Sequence, residues 1–181
     1  KKAAAINADH IRLLWEVDFG DRIVPSLTAG GALPGEPNEH QLAVLRAAVP
    51  LVQSRVTVLS EVVGMMGFLF TTADALIYEE DALASLKDDA VTVLRQSVGK
   101  LDAEVPAEEW RTENIQAVLQ SALTDPEHGL GLKPRVAFGA VRVAISGRRV
   151  SPPLFESMEL LGKDESQKRL ARLMHHLRDL R

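Results

Sequence analysis

The chain of 181 residues carries 21 Lys+Arg against 25 Asp+Glu, a formal charge of −4, with 46% hydrophobic and 25% charged residues and no cysteine. That is ordinary for a soluble globular chain and allows one domain or two small ones with a real core. It excludes a disulfide framework, a thiolate nucleophile and a Cys-based zinc site, and no apolar run reaches the ~20 residues that span a bilayer.

The opening KKAAAINADHIRLL has two lysines but no long apolar stretch, so it does not read as a signal peptide and looks like a chain cut from a longer one. Glycines and prolines cluster at 28–37 and predict a break. Pro50 is expected to start or kink a helix, because its ring clashes with a preceding turn. Val52, Val56, Leu59 and Val63 recur at steps of 4, 3 and 4 and predict one buried helical face. Apolar VVGMMGFLF then gives way to TTADALIYEED, which sets a subdomain boundary near Thr71. Further breaks fall around Pro106 and at 125–131.

Beyond Trp110, Ile115, Leu119, Ala122 and Leu123 form another stripe, as do Leu154, Met158 and Leu161 with Phe155 beside them. Leu170, Leu173, Leu177 and Leu180 follow at 3, 4 and 3 in the last segment. The alternating VRVAI at 141–145 reads as helix, because Ala137, Val141 and Ala144 share a helical face. The expected fold is all-α, with two small helical bundle subdomains in tandem.

The net charge hides an asymmetry. From Gly129 to the C-terminus there are 11 Lys+Arg and 5 Asp+Glu, a balance of +6, which leaves −10 upstream. A basic third in an acidic chain argues for a local patch facing a polyanion, or for an acidic protein with an accidentally basic tail. The run at 132–162 gathers Lys133, Arg135, Arg142, Arg148 and Arg149 ahead of Ser151, Pro152, Pro153, Leu154 and Phe155. Ser151 is expected to cap the following helix, with proline just inside its start. The basic residues would then surround a helix entrance that itself favours anions.

Catalytic patterns are missing. There is no G-x-x-x-x-G-K-[ST], G-x-G-x-x-G, G-x-S-x-G or H-E-x-x-H. His175 and His176 are adjacent, about 100° apart on a helix, and are expected as solvated neighbours rather than as a metal pair. The pairs Asp88–Asp89 and Glu108–Glu109 suit helix starts, where carboxylates complement the dipole.

Arg55 falls about 60° from Val52 on a helical wheel, at the border of the apolar stripe. It is either a packing arginine paired to Glu61 or another acid, or a fork that grips a base edge or a phosphate. Arg142 emerges from a mostly buried element between Val141 and Val143, whereas Arg148 and Arg149 are expected in the turn, exposed and mobile. In the resulting division of labour, Lys133, Arg135, Arg148 and Arg149 hold backbone phosphates, while Arg142 and the corner of Ser151, Pro152 and Leu154 meet bases. An unstacked single-stranded loop is the natural target. Aromatics are only 4% of the chain, so recognition would lean on arginine planes and backbone groups. Lys168 and Arg172, on one edge of the last helix, are either solvated surface or RNA contacts.

The GLK entry, the RVAISG turn and the SPPLFE segment resemble the C-terminal anticodon-binding region of bacterial glutamyl-tRNA synthetases. The likeness is strongest over 110–162 and continues in pattern through the last helix. AINADHIRLL at 5–14 is similar to the helix leaving the stem-contact region, with Asn7 in the family's place, and VPLVQSRVTVLSEVVGMMGFLF fits the first anticodon-binding subdomain. Residues 71–105 match least. The resemblance implies three parts, a stem-contact helix over 1–22 and anticodon-binding subdomains over 23–70 and 71–181.

The family's H-I-G-H-like and K-M-S-K-S-like motifs are missing, which implies a fragment that binds tRNA but cannot charge it. ATP and Mg would belong to the absent catalytic domain, with no cofactor in this fragment. Arg55 falls where discriminating enzymes place the arginine that prefers cytosine over guanine at the third anticodon base. Arg142 and Ser151, Pro152 and Leu154 fall where the second subdomain meets the other bases. The resemblance further implies a cytoplasmic monomer whose partner is a glutamate-accepting tRNA, with no DNA and no membrane. The alternative is a helical protein-interaction domain whose basic end meets an acidic partner.

Overall fold

A computed structural model of the chain describes residues 16–180; the stretch at 5–14, with Asn7, lies outside them. Every regular element among the described residues is helical, in nine α-helices and two short 3-10 turns. The chain is all-α. It divides into two compact units, one running through Thr71 and the other starting at Thr72.

In the first unit, α1 (Glu16–Ala29) buries Phe19, Ile23 and Leu27 at every fourth position. It packs on α2 (Glu39–Val52), which contributes Val44, Leu45, Ala48, Val49 and Val52. The start of α2 is fixed by a reciprocal cap: Asn38 Oδ1 accepts the Gln41 N–H at 2.9 Å and Gln41 Oε1 accepts the Asn38 N–H at 2.9 Å. α3 (Glu61–Met66) runs into a 3-10 turn, Gly67–Phe70, and buries Val62, Met66, Phe68 and Leu69.

The expected helical face from Val52 to Val63 does not form. α2 stops at Val52, Val56 is buried from within an irregular turn, and Val62 rather than Val63 takes the buried place in α3. The β-branched run Val56–Thr57–Val58 favours helix weakly. Thr57 offers its own closure, donating its N–H and its hydroxyl to Glu61 at 2.8 and 2.9 Å. Nor does Pro50 start a helix. It lies in the last turn of α2, where the Gln53 N–H still reaches the Val49 carbonyl at 3.0 Å.

The second unit comprises α4 (Glu80–Ala84), α5 (Ala90–Glu104), the 3-10 turn Ala107–Glu109, α6 (Thr112–Thr124), α7 (Pro134–Ser146), α8 (Leu154–Leu161) and α9 (Lys163–Asp179). α5 is its central strut, packed against α6, α7 and α9, with Val93, Leu94 and Leu101 fully buried. The α6 stripe of Ile115, Leu119, Ala122 and Leu123 is buried as its spacing predicts. Residues 141–145 are helical, and Ala137, Val141 and Ala144 line the buried face of α7. On α9 the stripe runs out: Leu170 and Leu173 are buried, but Leu177 is half-buried and Leu180 is 70% exposed.

His176, expected as a solvated neighbour of His175, and Arg172, expected as solvated surface or an RNA contact, both meet Tyr78. His176 packs its ring 5.6 Å from that of Tyr78. Arg172 lies over the same tyrosine at 5.0 Å and donates Nη1 to the Leu76 carbonyl at 2.8 Å. Arg169 has no exposed surface; it donates Nε to Glu165 at 2.8 Å and Nη1 to the Ile145 carbonyl at 2.6 Å. It thereby satisfies one of the carbonyls left open at the end of α7. Burial pushes its pKa down and Glu165 opposes that shift, and the guanidinium keeps its charge.

Candidate nucleic-acid interface

α7 carries the site. Pro134 begins it, where a missing N–H costs nothing. Gly147 ends it at φ 73°, a left-handed conformation that favours glycine. One face of α7 is committed to the core, so Arg135, Phe138 and Arg142 fall towards the other side. They line a cleft of about 1310 Å³ with Lys87 and Asp89 ahead of α5, Asp81 of α4, and Arg149 and Val150 of the turn after α7. The cleft is mixed in sign but dominated by cations. Lys133 stands exposed at the N-terminal cap of α7, and among the described residues no carboxylate pairs with it, with Arg135 or with Arg149.

Arg142 is brought directly to the corner that follows its own helix. Its Nη1 donates to Ser151 Oγ at 2.5 Å and to the Pro152 carbonyl at 3.1 Å, while the Ser151 hydroxyl donates to the same carbonyl at 2.8 Å. Ser151 does not cap α8. Its hydroxyl is spent on this ring, α8 begins only at Leu154 with Pro153 at the capping position, and both prolines precede the helix. Ser151, Pro152 and Leu154 are buried. In the described conformation they form the backing that aims Arg142, not an open face. Phe138 and Phe155 meet edge to face with centroids 5.3 Å apart, tying α7 to α8 on the same flank.

The two turn arginines differ, although the sequence makes them look alike. Arg149 is exposed and lines the cleft. Arg148 is half-buried rather than free, with Nε 2.9 Å from Glu79 Oε1. Arg55, in the first unit, stands exposed in the turn after α2, not at the border of a helical stripe. The Glu61 carboxylate proposed for it is taken by Thr57, whose two bonds hold the Glu61 carboxyl below its usual range.

Asp89 stands at the cap of α5, the helix start its sequence context suggests, but its place on the cleft, like those of Lys87 and Asp81, is not legible in the sequence. All three lie in the stretch of 71–105 that matches least, and the packing of α5 against α7 brings Lys87 and Asp89 to the cleft.

The anticodon binding domain family matches residues 18–174. The chain belongs to that family. Over 173 residues it is 52% identical to the glutamate–tRNA ligase of Clavibacter michiganensis subsp. michiganensis, covering 96% of this chain and 33% of that ligase. It is 54% identical to the glutamate–tRNA ligase of Leifsonia xyli subsp. xyli, covering 96% of this chain and 34% of the relative. The chain therefore spans about a third of the length of these curated relatives. In fold it is similar to the crystal structure of a glutamate tRNA ligase from Elizabethkingia meningosepticum, with a TM-score of 0.71 at 14% identity over 96% of this chain and 32% of that one. Among the described residues no helix is long and apolar enough to cross a membrane.

Proposed function

We propose that this chain is the anticodon-reading part of a glutamate–tRNA ligase, and that it binds a glutamate-accepting tRNA so that a catalytic domain elsewhere in the ligase can attach glutamate at the cost of ATP. One observation carries the reading: Arg135, Arg142 and Arg149 converge on one cleft in a member of an anticodon binding domain family. Among the described residues no carboxylate pairs with Arg135 or Arg149, which suits them to phosphates, and an arginine fork held at its back is suited to a base edge.

In this reading Lys133, Arg135, Arg148 and Arg149 contact phosphates. Arg142, aimed by Ser151, Pro152 and Leu154, meets bases. Arg55 reads the third anticodon base from the first subdomain over 23–70, and the cleft belongs to the second over 71–181. Arg55 is exposed and, among the described residues, no carboxylate pairs with it, which supports its role. ATP and Mg belong to the rest of the ligase, and the reading carries with it a cytoplasmic monomer with no DNA or membrane partner.

The deciding measurement is a titration of this chain with a glutamate tRNA, and with the same tRNA carrying G for C at the third anticodon position, across salt concentrations. The expected result is a log–log salt slope of several units and weaker binding of the altered tRNA. Equal affinity for both removes base reading from the proposal. Absence of binding at low salt removes the tRNA and favours a protein partner for the basic face.

A further inference from the structure

The segment that opens the second unit is fastened to the arginine turn. The Glu79 N–H donates to the Gly147 carbonyl at 2.8 Å. A side chain at Gly147 would run into the Ile77 carbonyl oxygen, so the two strands of chain touch backbone to backbone. Arg172 reinforces the fastening from α9 through the Leu76 carbonyl and the Tyr78 ring. The Glu79 backbone is therefore fixed beside the arginine turn, and its carboxylate lies 2.9 Å from Arg148 Nε.

The ion pair itself is weakly held. Its side chains are 33% and 46% exposed, so water screens the attraction. Arg148 is also the immediate neighbour of Arg149, which lines the cleft. A carboxylate placed where RNA would run lowers affinity for a polyanion unless it is displaced.

We propose that Glu79 is a competitor for phosphate built into the fold: it holds the Arg148 guanidinium in the unbound chain and yields it to an RNA phosphate on binding. This rests on the tRNA-binding reading above. A guanidinium donates to carboxylate and phosphate oxygens alike, so the exchange replaces one anion with another on Arg148. Release of counterions from the RNA favours the exchange, which an isolated small anion does not provide. The backbone bond from Glu79 to Gly147 stays intact throughout, so Glu79 remains next to the turn as a positioning residue and recaptures Arg148 when RNA leaves.

The test titrates a glutamate tRNA against the unmutated chain, Glu79→Gln, Arg148→Ala and the double variant at several salt concentrations, with thermal unfolding run on each. Glu79→Gln is expected to bind roughly two- to fivefold tighter at low salt, and that gain should vanish when Arg148 is alanine. Independently of any variant, the Arg148 Nε–H resonance of the ¹⁵N-labelled chain should shift as tRNA is added. The inference is overturned if Glu79→Gln binds no tighter, if the gain persists without Arg148, or if the resonance ignores tRNA. An unmutated chain that binds no tRNA at all overturns the functional reading instead.

Discussion

Trp110 donates its indole N–H to the main-chain oxygen of Met158 at 2.8 Å, across 48 residues of chain. The bond joins the entry to α6 with the end of α8, and Trp110 is only 7% exposed. Trp110→Phe removes the donor and part of the ring, leaving the Met158 oxygen to the Gly162 N–H at 3.1 Å and the Ser166 hydroxyl at 3.2 Å. Urea unfolding should show a loss of about 1–3 kcal/mol, while the folded variant keeps its RNA affinity.

Gly147→Ala should cost more than its single methyl suggests. The position has φ 73°, and the added Cβ meets the Ile77 carbonyl, a backbone atom that cannot rotate aside. The left-handed conformation alone costs about 1–2 kcal/mol for other residues. The expected outcome is a loss of about 2 kcal/mol or more in chemical denaturation, together with weaker tRNA binding because the arginine turn must move.

Arg142→Lys keeps the charge but not the fork. A lysine cannot hold the Ser151 hydroxyl and the Pro152 carbonyl while presenting donors to the cleft. Loss of one good bidentate base contact is worth ~1–3 kcal/mol in calibrated DNA systems, so tRNA affinity should fall roughly tenfold. A lysine variant that binds like the unmutated chain reduces Arg142 to a point charge.

Arg55 and Arg149 should fail in different ways. Arg55 is exposed in a turn, so Arg55→Ala should change stability by less than about 0.5 kcal/mol. It should shrink the preference for C over G at the third anticodon base. Arg149→Ala should weaken binding of both tRNAs equally and reduce the salt slope by about 0.7, the share of one single-strand phosphate contact. Comparing the two tRNAs in one salt series separates these outcomes.

Glu61 gives a pH dependence whose sign is fixed. The Thr57 N–H and hydroxyl bonds favour the charged carboxylate and lower its pKa from 4.5. A group depressed in the folded state stabilises above its unfolded pKa and loses that contribution as pH falls through the folded value. Glu61→Gln should therefore be less stable than the unmutated chain at neutral pH, and the gap should narrow as pH falls below 4.5. Paired urea titrations at the two pH values measure it.

The sequence by itself determined what depends on local spacing. The α6 stripe and the helical reading of 141–145 follow from side chains three and four residues apart sharing a face, and the basic third follows from counting. The tertiary structure decided whatever rests on competition between nearby partners. Thr57 binding Glu61 ends the stripe that Val52 and Val63 suggest, and Arg142 takes the Ser151 hydroxyl that would otherwise cap α8. Arg148 and Arg149 are one letter repeated, yet only the fold puts Glu79 beside the first and a cleft beside the second. Spacing is carried by the chain itself, whereas the choice between two available partners is made by residues that sequence distance does not reveal.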